Sequence, residues 1–167
     1  MAALHAQGAH QAPPPDQTPI STYMMGGLII CALTGILLLI DDFGGAYWRN
    51  SVTTGELWLG ALTSYWVFLI IFPMSLAMFY MAYWCSQAMR KPGMITLSQL
   101  TNFYRISLAI FGFMVFLGII WAAYATWEEY DEWWFDVAFF AGVIGGVMAA
   151  IIFNQAKKQA EALGYPR

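Results

Sequence analysis

The residues best suited to chemistry lie in one acidic and aromatic segment, Trp127 to Asp136, between two long apolar segments. Carboxylate oxygens are the ligands that calcium and magnesium prefer, and this segment supplies five of the chain's ten acids. The candidate cation ligands are Glu128, Glu129, Asp131, Glu132 and Asp136. Their spacing does not match the calcium-binding loop of an EF-hand.

The same segment also has the composition of a membrane-interface belt. Tryptophan is enriched where helices leave the hydrocarbon core, and the candidate anchors are Trp48, Trp127, Trp133 and Trp134. In this interpretation the acids face water or a basic patch of a partner. We favour a belt and docking surface over a cation site.

A second acidic pair, Asp41 and Asp42, follows the first apolar segment. Phe43 and two glycines come next, and then Tyr47, Trp48 and Arg49, a composition typical of a connector that leaves the membrane. We therefore expect the first helix to end near Ile40, with both carboxylates solvated at its end.

Cofactor ligands are scarce in this sequence. His5 and His10 are the chain's two histidines, so no apolar segment supplies the histidine that haem or copper requires, and two histidines are an incomplete ligand set. Cys31 and Cys85 lack the spacing of a redox pair, and we expect both to be buried. No phosphate-binding or nucleophile-elbow motif occurs. The sequence predicts no catalytic group and no cofactor of its own, with haem or metal held only in partner chains.

The composition predicts a membrane protein. Hydrophobic residues make up 60% of the 167 residues and charged residues 10%, whereas soluble domains carry roughly 25% charged residues. The net charge is −3 and the cations are scattered, so nucleic acid is not an expected partner. Bilayer lipids and other membrane-protein subunits are the expected partners.

Four apolar segments predict the fold, an all-α integral membrane protein with four transmembrane helices. They cover residues 22–40, 57–89, 97–127 and 137–156. The second is longer than the bilayer is thick, and Pro73 should kink it. The domain organisation is a flexible, proline-rich N-terminal arm (1–20), the four-helix domain (21–156) and an amphipathic C-terminal tail (157–167).

Local signals place the helix starts and one charged side chain. Thr53 with Glu56 and Thr96 with Gln99 have capping-box spacing, so we expect the third helix to begin near Leu97. A tight basic turn is expected at residues 90–93. Arg105 lies in the first turns of the third helix, and we interpret it as reaching the lipid headgroups rather than forming an ion pair inside the membrane.

Small residues at four-residue spacing predict where helices pack. Such residues let two helix backbones approach closely, and they form two stripes, Gly27, Cys31 and Gly35 in the first helix and Gly142, Gly146 and Ala150 in the fourth. Gly145 and Ala149 lie beside the second stripe. Met74, Met78 and Met81 share one face of the second helix, for which we favour adaptable packing over a soft-metal site.

The distribution of Lys and Arg predicts the topology. Arg90 and Lys91, like Lys157 and Lys158, alternate along the chain with connectors that hold only Arg49 or no Lys and Arg at all. Positive residues favour the cytoplasmic side, so both termini should be cytoplasmic. The cell compartment that fits is the prokaryotic cytoplasmic (inner) membrane.

Small four-helix chains without cofactor ligands resemble accessory subunits of respiratory or other membrane redox complexes. A non-catalytic, structural subunit of such a complex is the function that we favour from the sequence. The alternative from a different class is a small transporter or cation-handling protein, which would use the acidic segment to concentrate cations.

A more specific resemblance rests on the order of a few features. Asp41, Asp42 and Phe43 follow the first helix, and Trp121, Trp127, Glu128 and Glu129 close the third. This order is similar to that in the C subunit of copper membrane monooxygenases, which oxidise ammonia or methane. The resemblance implies a related, ligand-less accessory subunit, because the metal-binding histidines of that family have no counterparts in this chain.

Overall fold

The computed structural model describes residues 18–50, 65–91, 93–128 and 133–167, with side chains described within 20–42, 69–91, 93–123 and 136–167. In these ranges the chain forms four helices: α1 (Thr18–Asn50), α2 (Tyr65–Arg90), α3 (Leu97–Glu128) and α4 (Trp133–Ala162). Each contains a segment of 22 to 27 residues that is long and apolar enough to cross a membrane. At about 1.5 Å per residue even the shortest is about 33 Å long, against a hydrocarbon core of about 30 Å.

The helices pack in an order that differs from their order in the chain. α1 packs against both α2 and α4, and α4 also packs against α3. Among the described residues α2 and α3 meet only slightly, where Tyr80 touches the ring edge of Phe103 and the Ser107 hydroxyl lies 3.9 Å from the Met81 sulfur. The bundle is therefore closed along three helix pairs and open along the fourth.

The start of α3 confirms the predicted capping box. The Thr96 backbone N–H donates to the Gln99 side-chain oxygen at 2.9 Å, and the Gln99 N–H donates to the Thr96 hydroxyl at 3.3 Å. These two bonds satisfy N–H groups that have no partner inside the helix. Before it, the Met94 N–H donates to the Lys91 carbonyl, and Gly93 has a φ of 84° that favours glycine.

Pro73 lies inside α2, as its position in the second apolar segment predicted. Proline has no N–H to donate, so the helix loses one backbone hydrogen bond at this point. Two residues later, the Ser75 hydroxyl donates to the Phe72 carbonyl at 2.7 Å and so satisfies a backbone acceptor beside the proline. The kink itself remains a prediction, and the Thr53–Glu56 capping box lies outside the described residues.

α1 is longer than the sequence predicted. It begins at Thr18, inside the expected arm, and continues past Ile40 to Asn50. The expectation that the helix ends near Ile40 was wrong. Gly44 and Gly45 weaken a helix by only about 1 kcal/mol each, which is not enough to end it. Trp48 consequently lies in α1 and not in a connector.

The C-terminal tail is a continuation of α4 followed by a docked end. α4 runs without interruption to Ala162, and the Gly164 and Tyr165 N–H groups then donate to the Glu161 and Ala160 carbonyls. With Gly164 at a φ of 73°, this is a Schellman motif. Tyr165 is buried, and the Pro166 carbonyl accepts a hydrogen bond of 3.1 Å from the Leu97 N–H at the start of α3.

Candidate functional site

Asp41 and Asp42 are buried inside α1, 6% and 7% exposed. They continue the face of α1 that points into the bundle, because Cys31, Leu38 and the two acids recur at helical spacing. Oδ2 of Asp42 is buried without a hydrogen-bond partner in the described part of the chain. The expected solvated helix end was therefore wrong, and two carboxylates belong to the interior.

The acidic segment is only partly described. Glu128 is the last residue of α3, and Asp136 lies exposed in the first turn of α4, while Glu129, Asp131 and Glu132 lie outside the described residues. Within the described ranges, no three His, Cys, Asp or Glu residues are grouped as a metal site would require. The cation site at the acidic segment remains a prediction.

The expected tryptophan anchors lie near helix ends. Trp127 is the penultimate residue of α3, Trp133 and Trp134 begin α4, and Trp48 lies near the end of α1. These three helix ends belong to the same end of the bundle, because α4 runs antiparallel to both α1 and α3. Their side chains lie outside the described residues, so anchoring in the interface remains a prediction.

The α1 stripe lies between α1 and α2, and also reaches α4. A Cβ on Gly27 would lie 3.0 Å from the Phe153 ring of α4 and 3.2 Å from the Cys85 sulfur of α2. A Cβ on Gly35 would lie 3.1 Å from the Phe79 ring of α2. Cys31, between the two glycines, is fully buried. This stripe is occupied by the chain's own helices and is not a free surface for another protein.

The α4 stripe is likewise filled within the chain, in this case by α3. A Cβ on Gly142 would overlap the Met114 side chain, and one on Gly146 would lie 2.9 Å from the Phe111 backbone nitrogen. Ala150 is buried. On the neighbouring face, Gly145 contacts Thr34 of α1 so closely that a Cβ would overlap the threonine side chain. α4 therefore uses small residues to hold two helices at once.

Both cysteines and the methionine face of α2 lie in the core. Cys31 and Cys85 are free thiols with no exposed surface. Met78 and Met81 are fully buried and Met74 is nearly so, and the Met81 sulfur accepts the weak hydrogen bond from Ser107 of α3. This arrangement supports the interpretation of the methionine face as adaptable packing.

A groove that the sequence analysis missed runs along the outside of the bundle between α1 and α4. Its volume is about 600 Å³, and Thr34, Ala141 and Gly145 line it together with larger apolar side chains. Asp136, which is exposed, lies at one end of the lining. The signal in the sequence was Gly145, beside the α4 stripe, but only the packing of α1 shows that a depression lies there.

Arg105 lies on the outer face of α3, within its membrane span. The inward face is marked by buried Phe103, Ser107 and Ile110, and Arg105 is about 200° away from Phe103 around the helix at 3.6 residues per turn. Small residues continue its face, since Ala109 is exposed and a Cβ on Gly112 would meet nothing within 4 Å.

The fold defines a class, an all-helical protein with four described helices that are long and apolar enough to span a membrane. These helices bury two carboxylates and expose an arginine on the outside. No protein-family model, curated protein or solved structure matches this chain. The particular function therefore has to be argued from the placement of these residues.

Proposed function

We propose that this chain is a non-catalytic accessory subunit of a multi-subunit respiratory or other membrane redox complex. It resides in the prokaryotic cytoplasmic membrane with both termini in the cytoplasm, and haem or metal is held by its partner chains. Its own helices form the scaffold, and its outer surface binds the partner subunits and lipid.

The observation that carries this proposal is the outer face of α3, formed by Arg105, Ala109 and Gly112. A permanently charged guanidinium on the outside of a membrane-spanning helix is costly unless it reaches an anion or a polar layer. The open space at Gly112 and the small side chain of Ala109 form a shallow surface on which another helix can approach closely. A partner helix with a carboxylate opposite Arg105 satisfies both requirements.

The competing role for Arg105 is an ordinary interfacial anchor. Helical side chains point back towards the helix N-terminus, and Arg105 is about 12 Å from the start of α3 at 1.5 Å per residue. Its side chain could then extend to lipid phosphate as the sequence analysis anticipated. An interfacial anchor needs no small residue beside it, whereas a closely packed partner helix does. A bulky substitution at Ala109 therefore distinguishes the two roles.

The experiment introduces Arg105→Gln and Ala109→Phe separately into the protein in its native membrane. After solubilisation in mild detergent, native electrophoresis measures whether the chain migrates with a complex, and mass spectrometry identifies the partners. Both variants should release the chain, because one removes the charge and the other blocks the approach of a helix. The partners should include chains that bind haem, metal or quinone.

Arg90→Gln is the matched control, because Arg90 is an exposed arginine in the last turn of α2. This variant should remain in the complex. A wild-type chain that migrates as a monomer, or whose partners carry no redox group, contradicts the proposal. Partners that are subunits of a copper membrane monooxygenase would identify the complex to which the sequence resemblance points.

A second candidate, a cation-handling or transport protein, is favoured by Asp42. An unpartnered buried carboxylate oxygen inside a long apolar helix is a feature of ion pathways. The purified chain in vesicles would then carry a cation flux that Asp42→Asn abolishes. Wild-type vesicles with no flux above empty vesicles exclude this candidate and leave the accessory-subunit proposal unaffected.

A further inference from the structure

The groove between α1 and α4 is a recess in the lipid-facing surface. Small or buried residues form its floor, namely Thr34, Ala141 and Gly145. Its walls are apolar side chains that are more than half exposed, including Leu33, Phe140 and Ile144. A recess of about 600 Å³ lies within the size range of small-molecule binding sites.

The shape of the groove matches one extended hydrocarbon chain. Its α4 lining runs from Asp136 to Met148, which is about 18 Å at 1.5 Å per residue. An extended chain advances about 1.2 Å per bond, so about fifteen carbon–carbon bonds fill this length. The floor contains no charged group, and an acyl chain fits it without a desolvation cost.

The charge at one end of the groove determines which lipid headgroup fits there. Asp136 lies exposed in the first turn of α4, at one end of the groove. An anionic headgroup meets like charge here, whereas an ammonium group can donate hydrogen bonds to the Asp136 carboxylate.

We propose that the groove binds a phospholipid with an ammonium-bearing headgroup, with one acyl chain along Thr34, Ala141 and Gly145 and the ammonium group at Asp136. The site is specific because the recess holds the acyl chain and the Asp136 carboxylate binds the ammonium group of the lipid. This proposal does not depend on the identity of the complex to which the chain belongs.

The test uses the full-length chain, purified in mild detergent and depleted of lipid. Phosphatidylethanolamine and phosphatidylglycerol with identical acyl chains are supplied separately, and native mass spectrometry measures the lipid retained. Lys157 and Lys158, at the other end of α4, are expected to attract anionic lipid. The decisive quantity is therefore the change in phosphatidylethanolamine retention that each variant causes.

Asp136→Asn should lower phosphatidylethanolamine retention about two- to fivefold, the range of an exposed ion pair, and should leave phosphatidylglycerol retention unchanged. Ala141→Phe fills the groove and should remove the tightly held phosphatidylethanolamine. Two controls should retain as much phosphatidylethanolamine as the wild type: Glu161→Gln, which removes an exposed carboxylate paired with Lys157 at the far end, and Ala162→Phe, which adds the same bulk outside the groove.

Three results would overturn the proposal. The first is phosphatidylethanolamine retention that neither Asp136→Asn nor Ala141→Phe changes, and the second is no retention above the detergent background. The third is a crosslink from Ala141 to a helix of another subunit in the intact complex, which would assign the groove to a protein partner.

Discussion

Gly146 of α4 lies directly against the backbone of Phe111 of α3, and a Cβ at position 146 would come within 2.9 Å of the Phe111 nitrogen. Backbone atoms cannot rotate away as a flexible side chain does. The α3–α4 distance is therefore fixed at this level by the absence of a side chain on Gly146.

The first prediction is that Gly146→Ala destabilises the bundle. Forcing a methyl group into a packed contact costs about 1 to 3 kcal/mol, and alanine returns up to about 1 kcal/mol of helix propensity. We expect the free energy of unfolding in detergent to fall by about 1 to 2 kcal/mol. Gly112→Ala is the matched control, because a Cβ there meets nothing within 4 Å, and it should be neutral or stabilising. Equal effects of the two variants would contradict the packing role.

The second prediction concerns the capping box at the start of α3. Thr96→Ala removes the hydroxyl that accepts the Gln99 N–H and should lower the free energy of unfolding by about 1 kcal/mol. Thr96→Ser keeps the hydroxyl and should retain most of the stability. Hydrogen exchange of the Gln99 amide should increase in the alanine variant only.

The third prediction concerns the glycine that ends α4. Gly164 has a φ of 73° with open space around a Cβ, so Gly164→Ala introduces backbone strain without a clash. The expected loss is about 1 kcal/mol, and Gly164→Asn should lose less because asparagine tolerates this conformation. Exchange of the Leu97 amide, which is bonded to Pro166, measures whether the docked end is released. An unchanged Leu97 amide would show that the docking does not need this turn.

The fourth prediction is a loss of stability at alkaline pH through Tyr165. Burial raises the pKa of Tyr165 above its ordinary value of 10.0, since the charged phenolate is desolvated. The folded state therefore favours the neutral phenol, and this stabilisation is complete below pH 10 and lost as the pH rises through the folded-state pKa. Tyr165→Phe should show a smaller decline of the unfolding free energy above pH 10. Identical pH profiles for the two proteins would show that Tyr165 does not contribute.

The fifth prediction is that Asp42 is retained at a cost to stability. A buried carboxylate oxygen without a hydrogen-bond partner is destabilising by about 1 to 3 kcal/mol, and an amide is less costly to desolvate than a charge. Asp42→Asn should therefore raise the free energy of unfolding, while Asp136→Asn, at an exposed position, should change it little. A destabilised Asp42→Asn protein would show that Asp42 has a stabilising partner, such as a bound cation.

Much of the helical framework was predictable because its causes are local. The start of α3 follows from Thr96 and Gln99, whose mutual hydrogen bonds span three residues. The end of α1 was not predictable in the same way, since Asp41, Asp42 and two glycines resemble a connector although the helix continues. Burial of the two acids depends on which face of α1 packs into the bundle. Because the helix was expected to end before them, their position on that face was not predicted.

The two candidate sites also differ in how far the sequence predicts them. The outward direction of Arg105 follows from helical periodicity once the buried positions of α3 are known, whereas the groove exists only because Thr34 meets Gly145 and leaves Ala141 beneath a gap. No local pattern contains that information. It depends on which helix packs against which.

The sequence by itself determined four apolar helices, their small-residue stripes and the segment in which half of the acids lie. Length, hydrophobicity and spacing are properties of single segments, so they can be read without the fold. The tertiary structure decided that α1 and α4 pack together while α2 and α3 scarcely touch, that Asp41 and Asp42 are buried, and that Asp136 lies at the end of a groove. These properties arise from contacts between residues far apart in the chain, so they depend on how side chains of different helices fit together.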